Sequence, residues 1–314
     1  MPFADGVHLP WSDVPDRIRE WLTDWAGSEI AEARDMSGGF SPGCCTCLGF
    51  AGGRQVFLKA VSRSANPESP EMHRREARVA RHLPPAPGLP RLVGYLDEDG
   101  WVALVFDRID GRLPRHPWVD RELDLVVEHL GAVHDLLTPC PAPDLESTAT
   151  YFEAMFGGWR ALAAAPVVPQ SLDPWSRRHL DRLAGLEERW GEAVDGDVLV
   201  HGDIRSDNIL VTGSSVVFVD WPHASRGAAF FDVVAWAPSV ALEGGPEPES
   251  LLHRFPTARD VDAGQLDPVV AAVAGFFTHH ATLPPPPGLP TLRRFQAAQG
   301  RVARDWLRRR TGWP

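Results

Sequence analysis

The sequence predicts an α+β protein with two lobes, a small strand-rich lobe followed by a larger, mostly helical one. Before residue 110, short apolar runs alternate with glycine, proline and aspartate turns, which is typical of strands. After residue 111, apolar residues recur three and four positions apart, which indicates long helices. One strand-rich stretch, 198–219, interrupts those helices. Strands first and helices afterwards favour an α+β fold, and 314 residues suffice for about two domains or one two-lobed unit.

The first lobe is predicted from its apolar spacing and its turns. Apolar side chains recur with helical spacing over 13–25. Three glycines within 37–43 indicate a tight turn between strands. A helix is predicted over 71–83, where two prolines end it. Strands are predicted over 44–50, 56–61, 91–96 and 101–106, and a hairpin turn at 97–100 joins the last two.

The second lobe is predicted to be helical apart from one hairpin. Another helix is expected over 174–190, and helical segments return after residue 230. Short strands are predicted over 198–200, 209–211 and 216–219, with a turn at 213–215. One face of the first long helix carries Leu123, Val126, Val127, Leu130, His134 and Leu137.

The charge balance excludes several classes of protein. Lysine and arginine total 31 against 42 aspartates and glutamates, a net charge of −11. We expect no nucleic-acid or membrane partner, because both require a basic face, whereas a cationic small substrate is compatible with this balance. No apolar run reaches the roughly 18 residues of a membrane-spanning helix, and the first residues do not resemble a secretory signal. Four cysteines are too few for a disulfide scaffold, so we expect a cytoplasmic protein.

The densest polar stretch, 201–208, lies between short apolar strands. Buried polar residues are costly unless they have partners or a function. Asp203 and Asn208 are five positions apart on this loop, and Asp220 follows twelve positions later at the end of the paired strand. The hairpin brings its two ends together, so these side chains can converge. Asn208 and Asp220 offer the oxygen ligands that suit Mg²⁺, which leaves Asp203 free to accept a proton.

This pattern resembles a known family. The order of Asp203, Asn208 and Asp220 resembles the catalytic loop and metal-binding aspartate of the protein-kinase fold, and His201-Gly202-Asp203 resembles its aminoglycoside phosphotransferase and choline kinase branch. Upstream, 56–60 resembles the strand that carries a phosphate-binding lysine, here Lys59. The run 74–77 resembles the helix whose glutamate pairs with it, and 105–111 resembles the hinge. The resemblance covers about 30–240.

The resemblance implies a two-lobed protein-kinase-like fold and a role for each matched residue. A nucleotide-binding lobe would span 1–106, a hinge 107–112, and a catalytic and substrate-binding lobe 113–314. The cofactor would be Mg²⁺, and ATP or GTP the co-substrate. Asp203 would be catalytic, and Asn208 and Asp220 would bind the metal. The nucleotide would be held by Lys59, Glu76, Gly38, Gly39, Phe106, Asp107 and Ile109.

Some positions leave a choice between interpretations. Glu76 is the expected partner of Lys59, with Glu71 as the competitor. His201 is interpreted as structural, bonding backbone around the loop, and Asp232 as a helix cap. Arg205 could neutralise phosphate or lie on the surface. Cys44, Cys45 and Cys47 are interpreted as small strand residues rather than zinc ligands, and His279-His280 as a helix terminus that could still line a substrate pocket.

The resemblance therefore implies a small-molecule kinase that transfers a phosphoryl group to a hydroxyl. The favoured acceptor is an antibiotic. The alternatives are a metabolite kinase acting on an amino sugar, choline or a homoserine-like compound, and a nucleotide-binding pseudokinase. Trp221-Pro222 stands where protein kinases have Phe-Gly, and the glycine turn is not G-x-G-x-x-G. A P-loop kinase is excluded because G-x-x-x-x-G-K-[ST] is missing from the sequence. The protein is expected to be a monomer or homodimer.

Overall fold

The first lobe is built around an antiparallel sheet. The computed structural model describes residues 8–36, 42–64, 67–286 and 289–314. Within these ranges the sheet has the strand order β1-β2-β3-β5-β4. The strand β1 follows the first helix and was not predicted as a strand. The elements are α1 (Asp16–Ala26), β1 (Ile30–Asp35), β2 (Cys44–Phe50), β3 (Gln55–Ser62), α2 (Ser69–His82), β4 (Leu92–Glu98) and β5 (Trp101–Asp107).

The two faces of this sheet pack against different helices. Alternate residues of β3 (Val56, Leu58 and Ala60) are buried in a core that includes Ile18 and Leu22 of α1. Their neighbour Phe57 packs on the other side, where α2 covers Leu104 and Phe106 of β5. Successive side chains of a strand point to opposite faces. Lys59 therefore lies on the face that α2 covers.

The second lobe is mostly helical and contains the inserted hairpin. The strands β7 and β8 pair antiparallel, as do β6 and β9. No helix among the described residues is sufficiently long and apolar to cross a membrane. The elements are α3 (Asp120–Leu136), α4 (Thr148–Phe152), α5 (Gly158–Ala164), α6 (Pro174–Arg178), α7 (Leu180–Glu187), α8 (Trp190–Ala193), β6 (Val198–Val200), β7 (Ile209–Thr212), β8 (Ser215–Phe218), β9 (Ser225–Gly227), α9 (Phe230–Leu242), α10 (Pro248–Leu252), α11 (Pro256–Arg259), α12 (Ala263–His280) and α13 (Leu292–Thr311).

The prediction of a single helix over 174–190 is wrong, because the segment forms the two short helices α6 and α7 and ends at the first residue of α8. His179 ends α6 with φ −106° and ψ 16°, outside the helical region. Its ring packs near Trp175 and Trp313, and its Nε2 bonds the carbonyl oxygen of Pro314 at 2.7 Å. Tertiary contacts to the end of the chain thus override a helical apolar spacing.

The large core lies in the second lobe. It encloses fully buried tryptophans from several helices and from the segment after β8, namely Trp159, Trp190, Trp221, Trp236 and Trp306. Burying a large side chain stabilises a fold by about 1.5–3 kcal/mol. The strands β6, β7 and β8 rest on this core, and the loops at their ends are held in place by it.

Candidate active site

The polar loop predicted from sequence lies between β6 and β7. It ends in a 3-10 turn, Ser206–Asn208, that leads directly into β7. Gly202 has φ +79°, in the left-handed region. A Cβ atom at this position would lie 2.5 Å from the carbonyl oxygen of His223. The loop can therefore pass close to the segment after Asp220 only because residue 202 is glycine.

Asp232 holds this loop from below. Its Oδ1 accepts from the backbone N–H of Gly202 at 2.7 Å, and its Oδ2 accepts from the backbone N–H of His201 at 2.9 Å. His134 Nε2 lies 2.9 Å from the same Oδ2. The interpretation of Asp232 as a helix cap is therefore corrected: it lies in the first turn of α9, and Ala229 is the N-cap. A buried carboxylate needs several donors, and here they come from the 201–208 loop and from His134.

His201 has a tautomer set by its two neighbours. The backbone N–H of Asp203 can only donate, so His201 Nδ1 accepts from it at 3.2 Å. The carbonyl oxygen of Val219 can only accept, so Nε2 carries the hydrogen at 3.0 Å. Burial lowers the pKa of His201, which keeps the ring neutral. His201 thus bonds backbone on both sides of the loop, as expected.

Asn208 and Arg205 orient Asp203. Asn208 donates through Nδ2 to the backbone oxygen of Asp203 at 2.9 Å and to its Oδ2 at 3.2 Å. Arg205 donates to the same Oδ2 at 3.4 Å and binds Asp207 more closely, at 2.6 Å. The Arg205 side chain is 18% exposed, so it is a partly buried cation balanced by carboxylates. The Asp203 carboxylate remains 27% exposed and lines a cavity.

Lys59 joins the two lobes through two carboxylates. Its Nζ donates to both oxygens of Glu76 at 2.8 Å and to Oδ1 of Asp220 at 2.5 Å. Burial alone would lower the pKa of Lys59, but Asp220 and Glu76 raise it well above its ordinary value. Burial alone would raise the pKa of Asp220, but Lys59 holds it well below its usual range. The structure therefore brings together three residues that are 17 and 161 positions apart.

The structure distinguishes Glu76 from its competitor. Glu71 is exposed and pairs with Arg74 and Arg78 on its own helix. Glu76 is buried, with a side chain 3% exposed. The two residues differ because α2 turns only one face toward the sheet, and Glu76 shares that face with the buried residues Ala77 and Ala80.

Of the other predicted nucleotide-binding positions, three lie at the end of β5 or just after it. Gly38 and Gly39 lie outside the described residues. Phe106 is buried in the core under α2, one residue before β5 ends. The backbone N–H of Asp107 donates to the carbonyl oxygen of Arg91 at 3.0 Å, so it is not available to a nucleotide. The backbone N–H of Ile109 makes no hydrogen bond to any other described residue.

Arg75 is a site residue that the sequence analysis missed. It donates to the carbonyl oxygens of Pro222 and Ala224 at 2.9 Å each, and to Glu146 at 2.9 Å. Its guanidinium also lies 3.9 Å from the ring centroid of Tyr151. Arg75 thus docks α2 on the segment that follows Asp220. The sequence around Arg75 does not indicate this role, because the carbonyl oxygens that Arg75 contacts lie far along the chain.

A cavity of about 260 Å³ opens beside Asp203. It lies between the catalytic loop and the helices α4, α9, α12 and α13. Its wall is mostly apolar and includes five phenylalanines, Phe152, Phe156, Phe276, Phe277 and Phe295. A group bound there would contact Asp203 directly. The sequence analysis assigned substrate binding to residues 113–314 as a whole and named none of these phenylalanines.

The donor set fits Mg²⁺. Asn208 uses its Nδ2 toward Asp203, which leaves its amide oxygen as a ligand. Asp220 uses Oδ1 toward Lys59, and its carboxylate is 39% exposed. Mg²⁺ is commonly bound by one or two carboxylate or amide oxygens together with phosphate and water. Asn208 and Asp220 meet that requirement.

Comparison with known proteins matches the chain to one family. The model of the phosphotransferase enzyme family matches residues 50–269, more than half of the chain. Among curated proteins, none matches this chain.

Several solved structures share the fold. One is a thermostable mutant of an aminoglycoside phosphotransferase in a ternary complex with ADP and hygromycin B, with a TM-score of 0.62, 15% identity and coverage of 95% of this chain and 99% of that one. A choline kinase from Streptococcus pneumoniae has a TM-score of 0.61 and 12% identity, covering 93% and 98%. A spectinomycin phosphotransferase in complex with ADP and spectinomycin has a TM-score of 0.58 and 14% identity, covering 94% and 93%. These matches confirm the two-lobed α+β fold and the resemblance drawn from the sequence.

Proposed function

The chain belongs to the phosphotransferase enzyme family, and from this premise we propose that it transfers the γ-phosphoryl group of ATP or GTP to a hydroxyl of a small molecule. One observation carries the proposal. Lys59 pairs with both Glu76 and Asp220, while Asn208 holds Asp203 at the edge of a cavity. A cation for phosphate, oxygens for a metal and a free carboxylate for the acceptor are the parts that phosphoryl transfer requires.

In the proposed reaction, Asp203 accepts the proton of the substrate hydroxyl. The hydroxyl oxygen forms a bond to the γ-phosphorus, the bond between that phosphorus and the β–γ bridging oxygen breaks, and the nucleoside diphosphate leaves. Asn208 and Arg205 keep the Asp203 carboxylate aimed at the cavity. Correct placement of the two reactants supplies much of the rate in reactions of this kind.

The nucleotide would be held by residues of both lobes. Lys59, fixed by Glu76, would neutralise phosphate oxygens, and the N–H of Ile109 would donate to the base. Phe106 and Asp107 would border the base, and Gly38 and Gly39 would cover the phosphates. Asn208 and Asp220 would hold Mg²⁺, which when bound neutralises charge on the phosphates. The solved ADP complexes of the aminoglycoside and spectinomycin phosphotransferases support a nucleotide as the co-substrate.

Two classes of acceptor are supported by the fold relatives. An antibiotic alcohol is the first candidate, since the aminoglycoside and spectinomycin phosphotransferases share the fold over most of the chain. A metabolite alcohol is the second, because a choline kinase matches with a similar TM-score. We place the protein in the cytoplasm, in line with its four free cysteines.

Asp203→Asn tests the proposed function. The amide cannot accept the proton, so turnover should fall by about 10²–10⁴-fold, the usual contribution of a general base. The measurement is release of nucleoside diphosphate from ATP or GTP with Mg²⁺ across a panel of antibiotic and metabolite alcohols. Asp260→Asn, at an exposed aspartate outside the site, is the matched control and should keep the wild-type rate.

Two outcomes would contradict the proposal. An acceptor-dependent rate that is near normal in Asp203→Asn would remove Asp203 from the role of base. Failure of the wild-type protein to bind Mg²⁺ and nucleotide would exclude phosphoryl transfer, and it would also exclude the nucleotide-binding pseudokinase.

A further inference from the structure

The cavity beside Asp203 has an unusual balance of charge for a site that would bind a polycation. Among its described lining residues, Asp203 is the sole carboxylate, and Asn208 and Arg205 already donate to it. Arg205 and His223 also line the cavity. A buried cation without a carboxylate partner is strongly disfavoured. Several positive charges of a polycationic acceptor would therefore have only the Asp203 carboxylate as a partner among the described lining residues, and Asn208 and Arg205 already donate to that carboxylate.

The approach to the cavity adds positive rather than negative charge. Arg293 stands in the first turn of α13 and donates to Gln296, a residue of the cavity wall, at 2.8 Å. No carboxylate among the described residues forms an ion pair with Arg293. His279 and His280, at the end of α12, lie within reach of its charge. This side of the cavity would repel a second cation.

Gln299 contributes a polar atom that has no partner among the described residues. The side chain lines the cavity and is 1% exposed. Its Nε2 donates to the hydroxyl of Ser239 at 2.5 Å. Its Oε1 is buried and makes no hydrogen bond within the described part of the chain. Leaving a buried acceptor unpaired is costly, so this atom is suited to a donor that arrives with a ligand.

Together these features select one chemistry. Resting on the proposed phosphoryl transfer, we infer that the acceptor is an uncharged alcohol with a largely apolar, ring-containing body and a second N–H or O–H group that donates to Gln299 Oε1. The ring would pack among the phenylalanines, and the reacting hydroxyl would lie at Asp203. The cavity is small compared with the roughly 300–1,000 Å³ of drug-sized pockets, so it encloses a ring-sized portion of the acceptor.

Three matched probes test this inference, each a benzyl alcohol that differs only at the para position. 4-(Hydroxymethyl)benzamide is neutral and carries an N–H donor, 4-(aminomethyl)benzyl alcohol carries an ammonium, and 4-methylbenzyl alcohol has neither. Binding to the full-length protein with Mg²⁺ and ADP is measured by saturation-transfer NMR titration. The amide should bind about tenfold more tightly than the ammonium or the methyl compound, since each of these leaves a buried polar atom or a charge unpaired.

Variants at one position separate recognition from folding. Gln299→Met should abolish the preference for the amide over the methyl compound, whereas Gln265→Met, the same change at an exposed glutamine outside the cavity, should keep it. Gln299→Glu should shift the preference toward the ammonium compound. Both position-299 variants are compared with wild type by thermal unfolding. The preference is a ratio of two dissociation constants measured on the same protein, so a loss of stability alone does not change it.

The inference is overturned by any of three results: the ammonium compound binds at least as tightly as the amide, no probe binds at millimolar concentration, or Gln299→Met leaves the ratio unchanged. The proposed function is contradicted by a separate result, namely that the wild-type protein does not bind ATP in the presence of Mg²⁺. Retained nucleotide binding with a reversed probe order would therefore reject the acceptor chemistry and keep the phosphotransferase.

Discussion

Burying the Lys59 ammonium costs free energy, which its two carboxylate partners offset. The side chain is 13% exposed, and it is held by Glu76 and Asp220. Removing one member of a buried ion pair leaves the other charge without compensation, which costs more than removing both. The cluster is therefore expected to behave as a unit, both in stability and in nucleotide binding.

We expect Lys59→Met to reduce the free energy of unfolding by about 3 kcal/mol, because it leaves the buried Glu76 carboxylate unpaired. The double variant Lys59→Met/Glu76→Gln should recover much of that loss, although it should not bind nucleotide normally. Urea unfolding measures the free energies of unfolding of the single and the double variant. The control is Arg309→Met, which breaks an exposed pair with Glu247 and should change stability by at most about 1 kcal/mol. Additive effects of the two site substitutions would contradict this account.

The catalytic loop illustrates how one backbone conformation positions several side chains. Gly202 sits between His201, which bonds backbone on two sides, and Asp203, which faces the cavity. Its N–H is anchored on Asp232. Because the φ of Gly202 is +79° and the carbonyl of His223 lies close, any side chain at this position would displace the loop.

Gly202→Ala should therefore lower the free energy of unfolding by about 1–3 kcal/mol and turnover by about 10²-fold, since small misplacements of a reacting group are enough for such a loss. Gly213→Ala is the matched control. Gly213 has φ +60° in the β7–β8 turn, but no described atom lies within 4 Å of the position that its added methyl group would take. It should cost about 1 kcal/mol and leave turnover unchanged. Equal losses of turnover in both variants would show that close approach at residue 202 is not the cause.

Between the lobes, the contacts run through α2 rather than through the hinge alone. Glu76 reaches Lys59 and, through it, Asp220, while the neighbouring Arg75 donates to carbonyl oxygens just after Asp220. One turn of α2 thus contacts both Lys59 and the segment that follows Asp220. A shift of α2 would disturb both at once, which links the geometry of the two lobes.

Stability of the folded protein should depend on pH through its buried histidines. Burial lowers the pKa of His73 to about 4, and burial also lowers the pKa of His201. In the unfolded chain a histidine has a pKa of about 6.5. Between these values the unfolded state binds more protons than the folded state, so stability falls as the pH falls below about 6.5.

His73→Gln should therefore flatten this dependence. Between pH 6 and pH 5, the free energy of unfolding of the wild type should fall more steeply than that of the variant by about 1 kcal/mol per pH unit. Urea unfolding at several pH values measures the slopes, with His253→Gln, at an exposed histidine, as the control. Identical slopes for wild type and His73→Gln would mean that His73 is protonated in the folded state.

Much of this protein could be predicted from its sequence. The strands 44–50, 56–61 and 101–106 and the helix near 71–83 were located from local apolar spacing and turn residues, which act over a few positions. The spacing of Asp203, Asn208 and Asp220 similarly pointed to one loop and one hairpin. The resemblance that these residues carry is confirmed by the family match.

Other features depend on contacts between distant segments, and no local pattern contains them. The helix predicted over 174–190 is broken by contacts to the end of the chain, and the role of Asp232 follows from N–H groups about thirty positions away. The net charge of −11 was compatible with a cationic acceptor, yet the cavity beside Asp203 is walled by phenylalanines and bordered by arginines. Net charge sums over a whole surface, whereas a pocket is formed by the few side chains that folding brings together. The amino-acid pattern alone was therefore sufficient for the fold class and the family. The cavity beside Asp203 is visible only in the folded structure, because its wall comes from helices separated along the chain.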